Sequence, residues 1–320
     1  MTAAFLVFVI HVSLGGSVPL SPGDILYALT HPVYSVDDRA ALIVWQIRLP
    51  RAVGGLLIGG VLGAVGAAFQ AYFRNPLAEP YVIGVSSGAA LGGTLALIFG
   101  LGGLMLGLAL PVFGCLGGLG ALYLVLAVSG SSRGASRETL LISGVVIGAV
   151  LAALMSLSLI LGGQDTNMVL QWLLGSLAWM TWPRAIGLAV AALLVPVIYS
   201  QSRALNAVAA DDKIAAKLGV DRNLVQKRVL LTGAAAASMA VGAAGIIPFV
   251  GLISPHCARL MTGPDVRKTI PVSAAIGAVL LLAADILAQK IKTGVELPVG
   301  AVTALLGAPL LLFLLRSNRR

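Results

Sequence analysis

Long apolar stretches recur from one end of the chain to the other, and they constrain the fold more than any other feature. Between charged or proline-rich breaks we count about ten, most of them long enough to cross about 30 Å of hydrocarbon as a helix. Backbone hydrogen bonds must close within each segment there, which favours helices. The alternating ~10-residue stretches of a membrane barrel are missing. We therefore predict an all-α, polytopic membrane protein.

Composition supports this prediction. The 320 residues are 58% hydrophobic and 10% charged, with a mean hydropathy of +1.00, which argues against a soluble fold of this size. Glycine is abundant, at 39 residues, and small residues let membrane helices approach closely. Two glycine series with a spacing of four predict contact faces on the second and third spans: Gly55, Gly59, Gly63 and Gly84, Gly88, Gly92.

The spans also predict the topology. Their approximate cores are residues 2–16, 51–73, 81–100, 105–128, 138–161, 183–200, 229–247, 249–262, 269–289 and 299–315. The first lacks the basic start and cleavage pattern of a secretory signal, so we interpret it as a span. An even count puts both termini on one side, and the arginines of the C-terminal tail place that side in the cytoplasm. We expect a multi-pass protein of the plasma (inner) membrane with both termini cytoplasmic.

The net charge of +9 follows the same rule. No basic run lies beside aromatic residues on a polar segment, so we expect no nucleic-acid partner. Most of the 21 basic residues fall on the predicted cytoplasmic side, as the positive-inside bias requires. The exceptions need another reason to lie outside: Arg39, Arg48, Arg51, Arg184, Lys290 and Lys292.

A short internal echo suggests a repeat within this single transmembrane domain, 1–320. The string Ala-Val-Gly-Ala-Ala occurs at residues 64–68 and again at 240–244. Chance is one explanation in a chain rich in alanine and glycine. The other is a pair of pseudo-repeats, about 51–161 and 229–315, in which spans two to five and seven to ten have inverted topology.

The chemistry of an enzyme is missing from the sequence. The chain has no Gly-Lys dipeptide and hence no phosphate-cradling Walker A loop, so any ATP must be hydrolysed by another chain. The histidines are scattered, and Cys115 and Cys257 lie in apolar stretches, which favours buried structural roles. We predict no catalytic residues, no metal site and no cofactor.

The largest polar insertion lies between the sixth and seventh spans, at residues 201–228. Within it, residues 212–219 predict a short amphipathic helix that ends at Gly219, and Asp221 is a plausible N-cap for a second short helix. We expect these helices at about 204–224 on the cytoplasmic side. The residues alone leave two interpretations open: a solvated basic loop that orients the protein, or a docking surface.

Two shorter segments have similar double interpretations. Residues 45–51 place Arg48 and Arg51 on the outer side, either as interfacial anchors or as a cationic contact for carboxylates of an external partner. Residues 73–80 carry two prolines four apart, which predict a stiff cytoplasmic reversal, either a simple turn or a constriction of a pathway. Asp285 is an acid inside a span, which suggests function or, more simply, an ion pair with Lys292 or a loop arginine.

Several of these strings resemble one family, the FecCD/BtuC-like permeases of ATP-binding cassette importers. They are Val-Trp-Gln-Ile-Arg-Leu-Pro-Arg at residues 44–51, Asn-Pro-Leu-Ala-Glu-Pro at 75–80, Gly-Leu-Ile-Ser-Pro-His at 251–256 and Glu-Leu-Pro-Val-Gly at 296–300. The resemblance implies a homodimer of ten-span subunits with two ATPase subunits below and an external substrate-binding protein above. The implied cargo is a metal chelate: a ferric siderophore as the first expectation, with haem and cobalamin also open.

The resemblance also implies roles for individual residues. Arg48 and Arg51 match the arginines that dock the binding protein. A further basic position falls on Gln289, and Lys290 or Lys292 would substitute for it. Ala215, Ala216 and Gly219 match the motif that couples to the ATPase, while Asn75 and Leu77 match the inner gate. A second gate stretch, at residues 136–139, departs from the family because it carries Arg137 and Glu138.

A rival interpretation from a different class is an ion-coupled secondary transporter. It would share the span count and the inverted repeat but would need ionisable groups at the membrane midplane. Asp285 is the one acid that favours it. An intramembrane enzyme has less support, since paired histidine, aspartate or serine residues at catalytic spacing are missing.

Overall fold

The computed structural model describes residues 2–16, 18–31, 39–130, 136–161, 166–291 and 296–317, and its regular secondary structure is helical. In the first half the helices are α1 (Thr2–Leu14), α2 (Pro22–Thr30), α3 (Arg39–Ile43), a π-helical turn (Val44–Arg48), α4 (Leu49–Phe73), α5 (Val85–Ile98), a 3₁₀ segment (Leu101–Gly107), α6 (Ala109–Val128) and α7 (Arg137–Leu161). In the second half they are α8 (Thr166–Leu173), α9 (Trp182–Ser200), α10 (Ser202–Ala210), α11 (Asp212–Lys217), α12 (Arg222–Ala244), α13 (Val250–Thr262), α14 (Val266–Lys290) and α15 (Val299–Ser317).

A helix occupies each of the ten predicted spans. Among the residues that the structure describes, five helical stretches are long and apolar enough to cross a membrane by length and composition: Arg39–Phe73, Ala109–Val128, Arg137–Leu161, Trp182–Ser200 and Val266–Lys290. Shorter apolar helices cover the first, third and tenth spans, and α12 and α13 cover the seventh and eighth. The predicted all-α, polytopic fold is confirmed.

The ends of the helices follow local chemistry. Helix α4 stops because Arg74 adopts a left-handed conformation, φ 50°, and Pro76 cannot continue a helix. Helix α5 begins only after Gly84, φ 78°, so the third span starts four residues later than predicted. The prediction of a second short helix after Asp221 was wrong. Asp221 does cap a helix, but the apolar residues that follow extend it to 23 residues as α12.

The predicted glycine faces are contact faces. A Cβ atom on Gly59 or Gly63 would overlap the carbonyl groups of Gly277 and Ser273, so α4 and α14 touch backbone to backbone. Gly88 and Gly92 lie in the same way against α6. Close contact of this kind maximises dispersion attraction between membrane helices, which have no hydrophobic driving force toward one another.

The helix pairs are reciprocal, as a repeat would require. Helix α4 packs on α14, and its predicted equivalent α12 packs on α6. Likewise α5 packs on α6 as α13 packs on α14, and α7 packs on α6 as α15 packs on α14. This reciprocity supports the predicted inverted repeat, which stays a prediction.

Polar residues gather at both ends of the bundle. We call the end that carries Arg74, Asp212 and Asp265 the inner end, and the end that carries Arg51 and Gln289 the outer end, following the predicted topology. At the inner end, α10 and α11 form a bent pair of short helices between α9 and α12, here called the elbow. These two ends hold the predicted functional residues.

Candidate functional site

At the outer end, a buried ion pair joins two helices that are distant in sequence. Asp285 of α14 is fully buried, and Arg51 in the first turn of α4 donates hydrogen bonds to its carboxylate through two nitrogens. The distances are 2.8 Å from Nε to Oδ2 and 3.0 Å from Nη2 to Oδ1. The same guanidinium donates through Nη1 to Glu296 at 2.8 Å. Two-point contacts of this kind are among the strongest side-chain hydrogen bonds, and burial reduces their screening.

Two more side chains complete this outer cluster. His11 of α1 places Nε2 2.7 Å from Oδ2 of Asp285, and Gln289 donates to the same oxygen at 2.7 Å. Gln289 also accepts a hydrogen bond from the backbone N–H of Gly16. The cluster therefore ties α1, α4 and α14 together. Asp285 is in an ion pair, as the simpler interpretation predicted, but its partner is Arg51 of a helix rather than a loop arginine.

Arg48 has a separate internal role. Its side chain is 3% exposed and donates to the carbonyl oxygens of Val12 and Ser13, at 3.0 and 2.9 Å, and to that of Val18. Val12 and Ser13 belong to the last turn of α1, where carbonyl groups lack intrahelical donors and the helix dipole is negative. Arg48 thus caps α1.

These contacts bear on the predicted docking residues. Arg48 and Arg51 are buried, at 3% and 6% exposure, so their guanidinium groups point into the subunit rather than toward an external partner. Lys290 is exposed, with Nζ 3.4 Å from the carbonyl oxygen of Gly16, and Lys292 lies outside the described residues. Docking through these residues stays a prediction, and for the two arginines it requires the partner to replace internal acceptors.

Burial also explains basic residues on the predicted outer side. Besides Arg48 and Arg51, Arg184 is buried and donates to the carbonyl oxygens of Trp179 and Gly107, at 2.9 and 3.2 Å. The positive-inside bias acts on charges that remain in loops. These three arginines are instead buried, and they donate hydrogen bonds to groups within the bundle.

At the inner end, the predicted gate residues lie in a tight reversal. The side chain of Asn75 accepts a hydrogen bond from the backbone N–H of Leu77 at 2.9 Å, which fixes the turn. Leu77 is 43% exposed and projects from it. The gate role of both residues stays a prediction.

The same turn contains a buried acid that sequence reasoning did not single out. Glu79 is 8% exposed, and its neighbours include Leu62, Ile247 and Gly251. Within the described residues, its carboxyl forms no ion pair. Burial raises the pKa of Glu79 to about 7.

The elbow presents a mixed surface. Asp211 caps α11 by accepting from the backbone N–H of Lys213, and α11 ends before Gly219, which has the left-handed φ of 70° predicted for it. Ala216 and Gly219 are exposed, but Ala215 is 1% exposed and faces inward. A direct side-chain contact from Ala215 to another subunit is therefore excluded in this conformation, because its helical position places the methyl group against the bundle. Coupling through Ala216 and Gly219 stays a prediction.

Three arginines from three helix ends converge on the elbow at Asp212. Arg74 after α4 and Arg137 at the start of α7 approach its Oδ1 at 2.8 and 2.6 Å, and Arg222 at the start of α12 approaches Oδ2 at 3.3 Å. Burial raises the pKa of Asp212, but the hydrogen bond and charge of Arg137, together with the other two charges, outweigh it and hold that pKa below its usual value. We call these four residues the inner cluster.

The second gate stretch now has a structural role. Arg137, which departs from the family pattern, belongs to the inner cluster, and its guanidinium carbon also lies 5.4 Å from the centre of the Tyr72 ring. Beside it, the hydroxyl of Ser136 accepts from the backbone N–H of Thr139 at 3.1 Å and caps α7. In the part of the chain that the structure describes, Ser136 and Thr139 bond to each other and not to the turn at Asn75.

A metal centre is not formed by the described part of the chain. No group of three histidine, cysteine, aspartate or glutamate side chains among those residues is arranged to hold an ion. Cys115 and Cys257 are free thiols. The polar contacts of the two ends hold helices together, as the distances above show.

The fold and these sites define a class: an all-helical, multi-pass membrane permease with a helical elbow at one end. Comparison with known proteins gives the family. The FecCD transport family matches residues 3–317. The chain therefore belongs to the FecCD transport family.

Individual relatives agree with this assignment. The chain is 37% identical over 306 residues to the cobalamin import system permease protein BtuC of Halobacterium salinarum, covering 95% of this chain and 81% of that one. It is 36% identical over 305 residues to the vitamin B12 import system permease protein BtuC of Salmonella typhi, covering 94% and 89%. A solved structure of a metal-chelate type ABC transporter in an inward-facing conformation matches with a TM-score of 0.84 and 30% identity, covering 99% and 98%. This chain is thus a permease subunit rather than an enzyme, and the ATPase is a separate subunit.

Proposed function

We propose that this protein is the permease subunit of an importer for cobalamin or a closely similar metal chelate, driven by separate ATPase subunits. The observation that carries the proposal is the 37% identity to a cobalamin permease across 95% of the chain. The sequence alone favoured a ferric siderophore, but the named relatives at this level of similarity favour a corrin-bound metal. Two copies of the permease, two ATPase subunits and one external binding protein form the working complex.

The two polar ends divide the work in this proposal. The elbow meets the ATPase through its exposed residues, which include Lys213, Ile214, Ala216 and Gly219. Closure of the ATPase dimer displaces the elbow, and the turn at Asn75 and Leu77 opens or closes the inner mouth of a path between the two copies. The outer end receives the binding protein, with Lys290 as an exposed cation already in place and the two buried arginines as contacts that docking would have to release.

The competing secondary transporter has less support from the geometry. Ion coupling needs an ionisable group that can exchange its ion near the midplane of the membrane. Asp285, the acid that favoured this interpretation, is neutralised by Arg51 and lies two turns or less from the outer end of its helix. It is therefore poorly suited to bind and release a coupling ion.

Reconstitution tests the function directly. Proteoliposomes that contain the permease and its cognate ATPase should accumulate radiolabelled cobalamin only under two conditions. ATP must be present on the side of the membrane that carries the ATPase, and the cognate binding protein must be present on the other side. Ferric siderophore and haem, each offered with the same binding protein, are the matched controls. Uptake by the permease without ATPase would overturn the importer proposal, and uptake of ferric siderophore in preference to cobalamin would overturn the choice of cargo.

Docking has its own test. The exposed cation permits a clean charge reversal, Lys290→Glu, because its side chain supports little of the fold. Affinity for the binding protein should fall at low salt, and the difference should shrink as salt rises. Arg39→Glu, at another exposed outer cation, is the matched control. An equal loss of affinity in both variants would show that the binding protein senses the overall positive charge of the outer end rather than a contact at Lys290.

A further inference from the structure

Helix α10 of the elbow is anchored in the core by Leu205 and Val208, but α11 is attached to the spans mainly through charge. Helix α11 has only six residues, and among them Ala215 alone is fully buried. Helix α11 packs against α10 and α12. So small an apolar contact stabilises a helix weakly, since burial contributes in proportion to the area removed from water. The firm attachment of α11 to the spans is Asp212 with its arginines.

The arginines reach the elbow at two points, not one. Arg74 donates to the backbone carbonyl of Val208 through Nε at 2.9 Å and to Asp212 through Nη2 at 2.8 Å. Arg137 also contacts both, at 3.4 Å for Val208 and 2.6 Å for Asp212. Two planar guanidinium groups that each hold the last turn of α10 and the first residue of α11 fix the orientation of the elbow as well as its distance.

These arginines belong to the elements that the inner mouth is made of. Arg74 immediately precedes Asn75, so a displacement of its guanidinium acts on the backbone of the turn. Arg137 is the first residue of α7 and lies over Tyr72, whose hydroxyl donates to Gln226 of α12 at 2.6 Å. A movement at Asp212 therefore reaches α4, α7 and α12 through direct contacts, without an intervening flexible loop.

The turn has room to respond. A cavity of about 240 Å³ borders Asn75 and Pro76 on one side and Arg259 and Thr269 on the other, and it reaches Ala209 of the elbow. An element next to a cavity can shift without overpacking its neighbours, which is costly in a filled interior.

From this geometry we propose that Asp212 is the relay residue of the permease. It is a positioning residue: through its contacts with Arg74, Arg137 and Arg222 it converts a displacement of the elbow into a displacement of the Asn75 turn and of α7. The inference rests on the proposed function, because it assumes that the elbow is the element moved by the ATPase.

The test separates transmission from attachment. Asp212→Asn keeps the size of the side chain and removes its charge. Asp211→Asn is the matched control, because asparagine still caps α11 and the three arginines form their ion pairs with Asp212 instead. In the reconstituted complex, Asp212→Asn should keep ATP hydrolysis within about twofold of wild type and lower cobalamin transported per ATP by at least about tenfold, which is within the usual range of coupling between sites. Asp212→Glu should recover most of the cobalamin transported per ATP, and Asp211→Asn should show the wild-type ratio.

Distances between spin labels distinguish a relay role of Asp212 from a purely structural one. Spin labels at Lys217 on the elbow and Leu77 on the turn are both on exposed positions. With ATPase bound, addition of nucleotide should shift both labels relative to a reference label on the outer end in wild type. In Asp212→Asn only the Lys217 label should shift.

The outcomes are distinguishable from failure of the proposed function. If the Leu77 label follows nucleotide equally in Asp212→Asn, or if that variant transports at the wild-type ratio, the relay proposal is wrong. If Asp212→Asn no longer assembles with the ATPase while Asp211→Asn does, Asp212 is an attachment point and the proposal also fails. A wild-type complex that moves no cobalamin overturns the proposed cargo, but the label distances still decide the role of Asp212.

Discussion

The two charged clusters of the molecule are opposite in composition. In the outer cluster one arginine, Arg51, contacts two carboxylates, whereas in the inner cluster three arginines contact one carboxylate, Asp212. They also differ in exposure: the side chain of Asp285 is 1% exposed and that of Asp212 is 38% exposed. A buried pair is costly to separate, while a half-exposed carboxylate can exchange partners with water nearby. The difference predicts that the contacts of the outer end cost more free energy to break than those of the inner end.

The largest effect should come from breaking the outer pair. Asp285→Ala leaves the Arg51 guanidinium buried without its main partner and should lower the free energy of unfolding by about 3–5 kcal/mol. Denaturant unfolding in detergent measures this. Glu296→Gln is the control at the same arginine, and because the side chain of Glu296 is 40% exposed we expect a loss of about 1 kcal/mol or less. Equal losses in both variants would remove the distinction between buried and exposed partners.

Substitution of Glu79, the buried acid of the inner turn, should give the next largest effect on stability, and this effect depends on pH. The raised pKa of Glu79 means that the folded state binds more protons than the unfolded state between pH 4.5 and about 7. Stability therefore falls as pH rises through this window, and Glu79→Gln should remove the fall. At pH 8 the variant should be more stable by up to about 3 kcal/mol, and near pH 4.5 by little. The test is to measure the melting temperatures of wild type and Glu79→Gln across this pH range. If the two melting temperatures change with pH in parallel, the raised pKa is contradicted.

A smaller effect on stability should come from the contact between α4 and α14, and it tests whether these two helices are held rigidly together. Gly63→Ala places a methyl group against the backbone of Ser273 and should cost about 1–3 kcal/mol. Gly60→Ala, one turn away on the same helix, meets its nearest atom at 3.7 Å and should be neutral or stabilising by up to about 1 kcal/mol through helix propensity. If both substitutions are tolerated alike, α4 and α14 can separate easily.

The smallest effect on stability should come from the inner cluster. Asp212→Asn should lower the free energy of unfolding by about 1 kcal/mol or less, because the carboxylate is partly screened by solvent. The loss should disappear in about 1 M salt, where the Debye length is about 3 Å, whereas the loss in Asp285→Ala should persist. A large, salt-independent loss in Asp212→Asn would make the inner cluster a structural anchor like the outer one.

Local signals in the sequence were enough for most of the fold. The length of the apolar runs predicted the spans, Pro76 and Pro80 predicted the inner reversal, and Gly219 predicted the end of α11. Each signal acts within a few residues, so it can be recognised without tertiary structure. Asp221 misled for the same reason: it marks where a helix begins but not how far that helix continues.

The charged clusters could not be predicted in the same way. Arg51 and Asp285 are 234 residues apart, and the sequence does not state which span faces which. One signal was available, since Asp285 within a span and Arg51 on the disfavoured side are each costly alone and less so together. Asp212 gave no such signal, because an acid in a polar segment is ordinary until folding places three arginines around it.

The glycine contacts between α4 and α14 have a consequence for the surrounding bilayer. At Gly59 and Gly63 no side chain lies between the two backbones, so no rotamer change can absorb a small slip of one helix along the other. When the hydrocarbon layer thins or thickens, such helices respond by tilting as a unit. Transport in lipids of different acyl-chain length should therefore vary with the inclination of this paired helix unit in the membrane.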